Sequence, residues 1–163
     1  MSRKIPSGRS DASPVASDIS QILKRSRNLS EIERIHGGSQ EELIASLVQV
    51  LGCDELSLRW KAAVALQGIG KPAVGHLVPC LNDEKASVRG SVAWILGTIR
   101  DSTAVEGLIP LLADESDEVR RETVEALGKI GDIRAEGYLS NVVTDTNKTV
   151  REAAVEALRS IRR

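Results

Sequence analysis

The sequence predicts an all-α fold, a right-handed α-α superhelix (a solenoid) of about four helical hairpins. Three observations lead there. An apolar residue followed by arginine recurs as Leu58-Arg59, Val88-Arg89, Val119-Arg120 and Val150-Arg151, at intervals of 30, 31 and 31 residues. Seven residues after each arginine stands a leucine (Leu66, Leu96, Leu127, Leu158), and ten after it an isoleucine (Ile69, Ile99, Ile130, Ile161). The apolar residues between these marks follow the spacing of a helix face. A unit repeated in register at this period cannot bury its apolar face alone and stacks on its neighbours.

Taken in order, residues 1–16 are rich in Ser, Pro, Gly and charge, the composition of a disordered tail. Residues 17–38 read as an N-terminal helical cap or a degenerate repeat, with Ile19, Ile22 and Leu23, then Leu29, Ile32 and Ile35, before Gly37-Gly38 ends the segment. Terminal repeats are expected to be atypical. Residues 39–163 form the repeat domain, divided at about 39–70, 71–100, 101–131 and 132–163. The first helix of a repeat carries apolar residues at i, i+3, i+4 and i+7: Ile44, Leu47, Val48 and Leu51; Val74, Leu77, Val78 and Leu81; Val105, Leu108, Ile109 and Leu112. The fourth copy is interrupted by Glu136 and Ser140 but keeps Leu139, Val142 and Val143. Pro79 and Pro110 fall inside first helices, where a missing N–H predicts a kink. The second helix runs from the Val-Arg pair to the isoleucine. Its buried positions lie three, four, six and seven residues after the arginine, where small residues let helices approach closely. Gly68-Ile69-Gly70 and Gly131-Asp132 close these helices.

Composition restricts the function classes. The formal net charge of −1 gives no general attraction to nucleic acid or anionic membrane. The basic residues Arg3, Lys4, Arg9, Lys24, Arg25 and Arg27 gather in the N-terminal arm, ahead of an acidic body, so strong nucleic-acid binding is not expected. No apolar stretch reaches membrane-spanning length, and the N-terminal residues lack a secretory apolar region, so a cytoplasmic protein is expected. Cys53 and Cys80 form no CxxC pair and read as small apolar residues at helix ends.

The pattern D-x4-V-R-x2-A-x2-A-L-G-x-I-G-D is carried most fully by Asp114, Val119-Arg120 and Ala126-Leu127-Gly128-Lys129-Ile130-Gly131-Asp132. Asp83 and Asp145 match in the neighbouring repeats, and Cys53 replaces the aspartate in the first. Over about residues 40–163 this resembles HEAT-like repeats, of the short type found in phycobilin lyases. The resemblance implies a structural ladder of Asp and Arg joining successive repeats, and so a structural role for Arg59, Arg89, Arg120 and Arg151. It also raises the alternative of a phycobilin lyase or chromophore-handling accessory. HEAT-like repeats occur in one further enzyme, deoxyhypusine hydroxylase, whose His-Glu pairs after the Val-Arg position hold two iron ions. Here those places read Trp60-Lys61, Gly90-Ser91, Arg121-Glu122 and Glu152-Ala153, without a histidine. His36 and His76 have no partner at ligand spacing, and no nucleophile elbow, phosphate loop or dinucleotide fingerprint is present. No catalytic residue, metal ligand or cofactor is expected.

The expected function is therefore that of a non-enzymatic protein-interaction module, with the second helices lining the concave side of the superhelix. Outward positions on those helices lie one, two, five and nine residues after the arginine. In the third and fourth repeats they read Arg121, Glu122, Glu125, Lys129 and Glu152, Ala153, Glu156, Ser160. In the first two they read Trp60, Lys61, Val64, Gly68 and Gly90, Ser91, Trp94, Thr98. Both tryptophans of the chain thus stand where later repeats carry charge, with Gly90 leaving a depression beside them. Each could bury ~200 Å², about 5 kcal/mol gross at ~25 cal/mol per Å². Three occupants could cover them: a protein or peptide partner, the chain's own N-terminal segment, or a planar ligand such as a bilin stacked between the rings. The expected partner site is Trp60, Lys61, Val64 and Trp94, with Arg121, Glu122 and Glu125 as its polar rim. Ala153 and Ala157 near the chain's end suggest an apolar solenoid end that could pair two copies.

Overall fold

The structure, a computed structural model, describes residues 14–163 and the side chains from Ile19 onward. The expected tail thus lies outside the described residues except for its last three, which already belong to helix α1 (Pro14–Arg25). Helix α2 (Leu29–His36) follows, capped by Asn28, which accepts the Glu31 N–H, and ended by Gly37 at φ 66°. The repeats then begin with α3 (Gln40–Leu51) and α4 (Leu56–Ile69). The capping box of α3 fixes its start: Ser39 Oγ accepts the Glu42 N–H while Glu42 Oε2 accepts the Ser39 N–H.

The second helices of the later repeats are α6 (Ala86–Ile99), α8 (Asp117–Ile130) and α10 (Lys148–Ile161), which stack in one row with α4. Their partners are broken. In the second repeat a 3-10 turn (Lys71–Ala73), a single α turn, α5 (Val74–Leu77), and a second 3-10 segment (Val78–Asn82) replace one helix. The third repeats this with Ser102–Ala104, α7 (Val105–Leu108) and Ile109–Ala113. The expected kink is in fact a change of winding. Pro79 and Pro110 stand second in the later 3-10 segments, where their missing N–H removes an i−4 bond, and i−3 bonds take over. The buried stripe ends on the expected Leu81 in the second repeat, but in the third it ends on Leu111, while the expected Leu112 is only partly buried. The fourth repeat opens with Ile133–Ala135 and α9 (Glu136–Val142).

One continuous apolar core of Leu, Ile, Val and Ala runs through these layers, from Ile19 to Leu158. Small residues bring the second helices together. A Cβ on Gly97 would lie 2.5 Å from Ala126 Cα, and one on Gly128 would lie 2.8 Å from Ala157 Cβ. Ala157, expected at an apolar solenoid end, is thus buried against Gly128, and the exposed apolar residue of α10 is Val155. Charged rungs run alongside. Arg89 donates to both carboxylate oxygens of Asp114 (2.7 and 2.8 Å), and Arg120 likewise to Asp145 (2.8 and 3.0 Å). Each aspartate also accepts a backbone N–H two residues on, from Ser116 or Asn147, so each rung fixes the loop that starts the next second helix. Among the described residues no helix is long and apolar enough to cross a membrane.

Candidate functional site

The stacking is uneven, and the site lies where it loosens. All four ladder arginines donate to the carbonyl six residues back: Arg59 to Cys53, Arg89 to Asp83, Arg120 to Asp114, Arg151 to Asp145. Only Arg89 and Arg120 also reach an aspartate of the next repeat. Arg59 makes no ion pair among the described residues, although Asp83 lies ahead of it in sequence. The close-approach pair is missing at the same junction. Eight residues after the arginine the repeats read Gln67, Gly97, Gly128 and Arg159; six after it they read Ala65, Ile95, Ala126 and Ala157. The contacts of Gly97 with Ala126 and of Gly128 with Ala157 define the register. The same register sets Gln67 opposite Ile95, two long side chains in place of glycine and alanine. Helices α4 and α6 meet less extensively than α6 and α8 or α8 and α10.

The gap carries the two tryptophans. Their ring centroids lie 5.3 Å apart with planes tilted by 40°, the offset geometry that aromatic quadrupoles favour. Trp94 is partly buried against the core, whereas Trp60 stays 58% exposed. Beside them a groove of ≈ 330 Å³ is lined by Leu56, Ala63, Gly90, Ser91, Glu118 and Glu122 among others. Gly90, itself buried, lines the groove beside α8: a Cβ there would meet Val119 and Glu122 at 3.8 and 3.9 Å, ordinary contact distances.

Leu56, Trp60 and Val64 succeed one another at i, i+4 and i+8 along α4 and are all exposed, Leu56 by 70%. These columns stand three residues before, one after and five after the repeat arginine. The second repeat fills them with Ala86, Gly90 and Trp94, the third with Asp117, Arg121 and Glu125, the fourth with Lys148, Glu152 and Glu156. One half of this face is therefore wholly apolar and the other wholly charged. At the border Arg121 is shared between Glu122 and Glu125, with 2.5 Å to each. The second Glu122 oxygen is shielded from solvent and has no hydrogen-bond partner among the described residues. Burial pushes the Glu122 carboxyl above its ordinary range, against the pull of Arg121.

The repeat register itself decides the family. The family model of HEAT repeats matches residues 44–117 and again 74–159. This chain belongs to the HEAT-repeat family. Solved structures agree in fold. The complex of CpcE and CpcF of phycocyanin lyase from Nostoc sp. gives a TM-score of 0.69 at 24% identity, covering 75% of this chain and 79% of that one. Human deoxyhypusine hydroxylase gives 0.64 at 25% identity, covering 91% of this chain and 62% of that one, so this chain spans less than two thirds of the hydroxylase. A designed armadillo repeat protein in complex with the peptide (KR)4 gives 0.56 at 19% identity, covering 90% and 81%. No curated protein sequence matches the chain. Among the described residues of these HEAT repeats, no three His, Cys, Asp or Glu side chains are grouped so as to hold a metal ion.

The HEAT scaffold brings Trp60, Trp94 and Glu122 to one groove and sets Val64, Arg121 and Glu125 along its borders. Lys61 is used otherwise. Its ammonium donates to the Leu23 carbonyl (2.6 Å) and the Ser26 carbonyl (3.5 Å), tying the end of α1 to α4. The described part of the N-terminal segment packs beside the tryptophans: Leu29 lies over Gly68, and Leu29 and Ile32 line a second depression with Trp60 and Val64. Leu56, Glu118 and Arg59 also line the main groove and were not expected there. The signal for Leu56 lies in its column, three residues before the arginine, which changes from apolar to charged after the second repeat.

Proposed function

We propose that this HEAT-repeat protein is a non-enzymatic interaction module that holds a segment of a protein partner on its concave face, in the groove between α4 and α6. The observation that carries this reading is the exposed stripe Leu56, Trp60 and Val64, whose Trp60 ring meets Trp94 beside an open groove. A contiguous apolar patch of this kind beside a charged border is the anatomy of an interface core and its rim. Tryptophans seated in a pocket are the usual energetic anchors of such a core. Arg121, Glu122 and Glu125 form the rim, and their mutual pairing holds them in place.

The chromophore-handling alternative has no comparable support. With the centroids 5.3 Å apart the two indoles already touch, whereas a planar ligand inserted between them needs about 7 Å, two stacking distances of ~3.5 Å. Pairing of two copies through the solenoid end is a secondary proposal, resting on Val155.

The test is capture of partners from a lysate of the source organism by wild type and by Trp60→Ala/Trp94→Ala, followed by calorimetry with the purified partner. The expected loss exceeds 2 kcal/mol, about 30-fold in Kd, with helicity retained. Trp60→Ala alone removes the more exposed ring and serves as the variant least able to disturb the core. Unchanged affinity in both variants refutes the reading.

A further inference from the structure

We propose that the α4/α6 groove reads a cationic side chain, an arginine in an extended peptide segment of the partner. The assignment rests on the reading of this groove as the partner site. The paired indoles leave no slot between them, and Trp60 is exposed while Trp94 is partly buried. A cation within ~6 Å of an indole centroid is attracted by the ring quadrupole, and a guanidinium, planar and weakly hydrated, stacks on such a face best.

The carboxylates complete the argument. Glu118 and Glu122 line the groove with the tryptophans. Glu118, Glu122 and Glu125 carry three negative charges against the single positive charge of Arg121, an excess of two. The cation of the lining itself, Arg59, is tied to the Cys53 carbonyl; counted in full, it still leaves an excess of one. Once Arg121 has taken one Glu122 oxygen, the other has no donor among the described residues. A shielded acceptor without a donor is costly, and N–H groups brought by a ligand relieve that cost. An acidic ligand side chain would meet Glu118 and Glu122 with like charge, and an aliphatic one would leave the oxygen unpaired. The small residues Ala63, Ala86, Gly90 and Ser91 around the rings leave room for a peptide backbone to come close.

The test pans a random linear peptide library on the full chain and on Trp60→Ala/Trp94→Ala. The best tryptophan-dependent peptide is then remade with citrulline, the neutral isostere of arginine. Wild type is expected to select peptides that share an arginine between apolar neighbours. Citrulline should weaken binding about tenfold or more, in line with a charged hydrogen bond. Glu122→Gln should weaken the arginine peptide but not the citrulline peptide, and Glu118→Gln provides a second, solvent-exposed removal of charge. Peptides that need both tryptophans yet ignore citrulline and both glutamine variants would overturn the cation assignment and leave the groove as a peptide site. Peptides indifferent to the double alanine variant, or a library that yields no binder, would overturn both.

Discussion

Single residues carry the stacking and the recognition in separate ways. Asp114 and Asp145 act for the stack. Hydrogen bonds from Arg89 and Arg120 hold their carboxyls below the ordinary range. Because the folded pKa lies below the unfolded one, the rungs stabilise fully above the unfolded value, about 4. That contribution is lost as pH falls through the folded value. Wild type should therefore lose stability on acidification below about pH 4, and Asp114→Asn/Asp145→Asn should flatten that part of the curve in urea titrations across pH. At neutral pH Asp114→Asn alone should cost about 3 kcal/mol, because it leaves the nearly buried Arg89 with only the longer, exposed contact to Glu115 as counter-charge. A loss under about 0.5 kcal/mol, the scale of an exposed pair, would show the rung to be ornamental. In the proposed reading recognition rests on Trp60, which is 58% exposed.

Helices meet on small residues, and the elements differ by where those residues are absent. Gly97→Ala places a methyl group against the backbone of Ala126. It should destabilise the fold by about 1–2 kcal/mol, an overpacking cost less the roughly 1 kcal/mol gained in helix propensity. Thermal unfolding would check this, and a stabilised variant would contradict the close approach of α6 and α8. Alanine for glycine at position 75, where nothing lies within 4 Å, is the matched control. The second helices were legible in the sequence because a 3.6-residue period with Arg, Leu and Ile at fixed offsets survives in every copy. The first helices of the second and third repeats were legible only in part. An apolar spacing looks much the same in an α-helix as in alternating α and 3-10 turns, and the choice turned on single prolines at positions 79 and 110.

At the scale of the whole molecule the superhelix is regular on one side of α6 and opened on the other. The apolar and charged halves of the face could be read from columns of the repeat. The reason for the opening could not. That Gln67 and Ile95 occupy the columns where glycine meets alanine elsewhere counts only once it is known which columns face each other across helices. The role of Lys61 was hidden for a related reason. Its partners, Leu23 and Ser26, lie outside the repeat, and periodicity says nothing of how α1 packs on α4. The opened junction and the charge border coincide, so one place in the array combines apolar area, room and unpaired acidic groups.

Trp60 and Trp94 are the only tryptophans of the chain, so their emission reports on this groove without a label. The most direct measurement is a titration of the full chain with its partner, or with a selected peptide, following tryptophan emission and heat together. A saturable change in emission, with the Kd found by calorimetry, is the predicted result. Binding that releases heat and saturates while the emission stays constant would place the partner elsewhere and contradict the account.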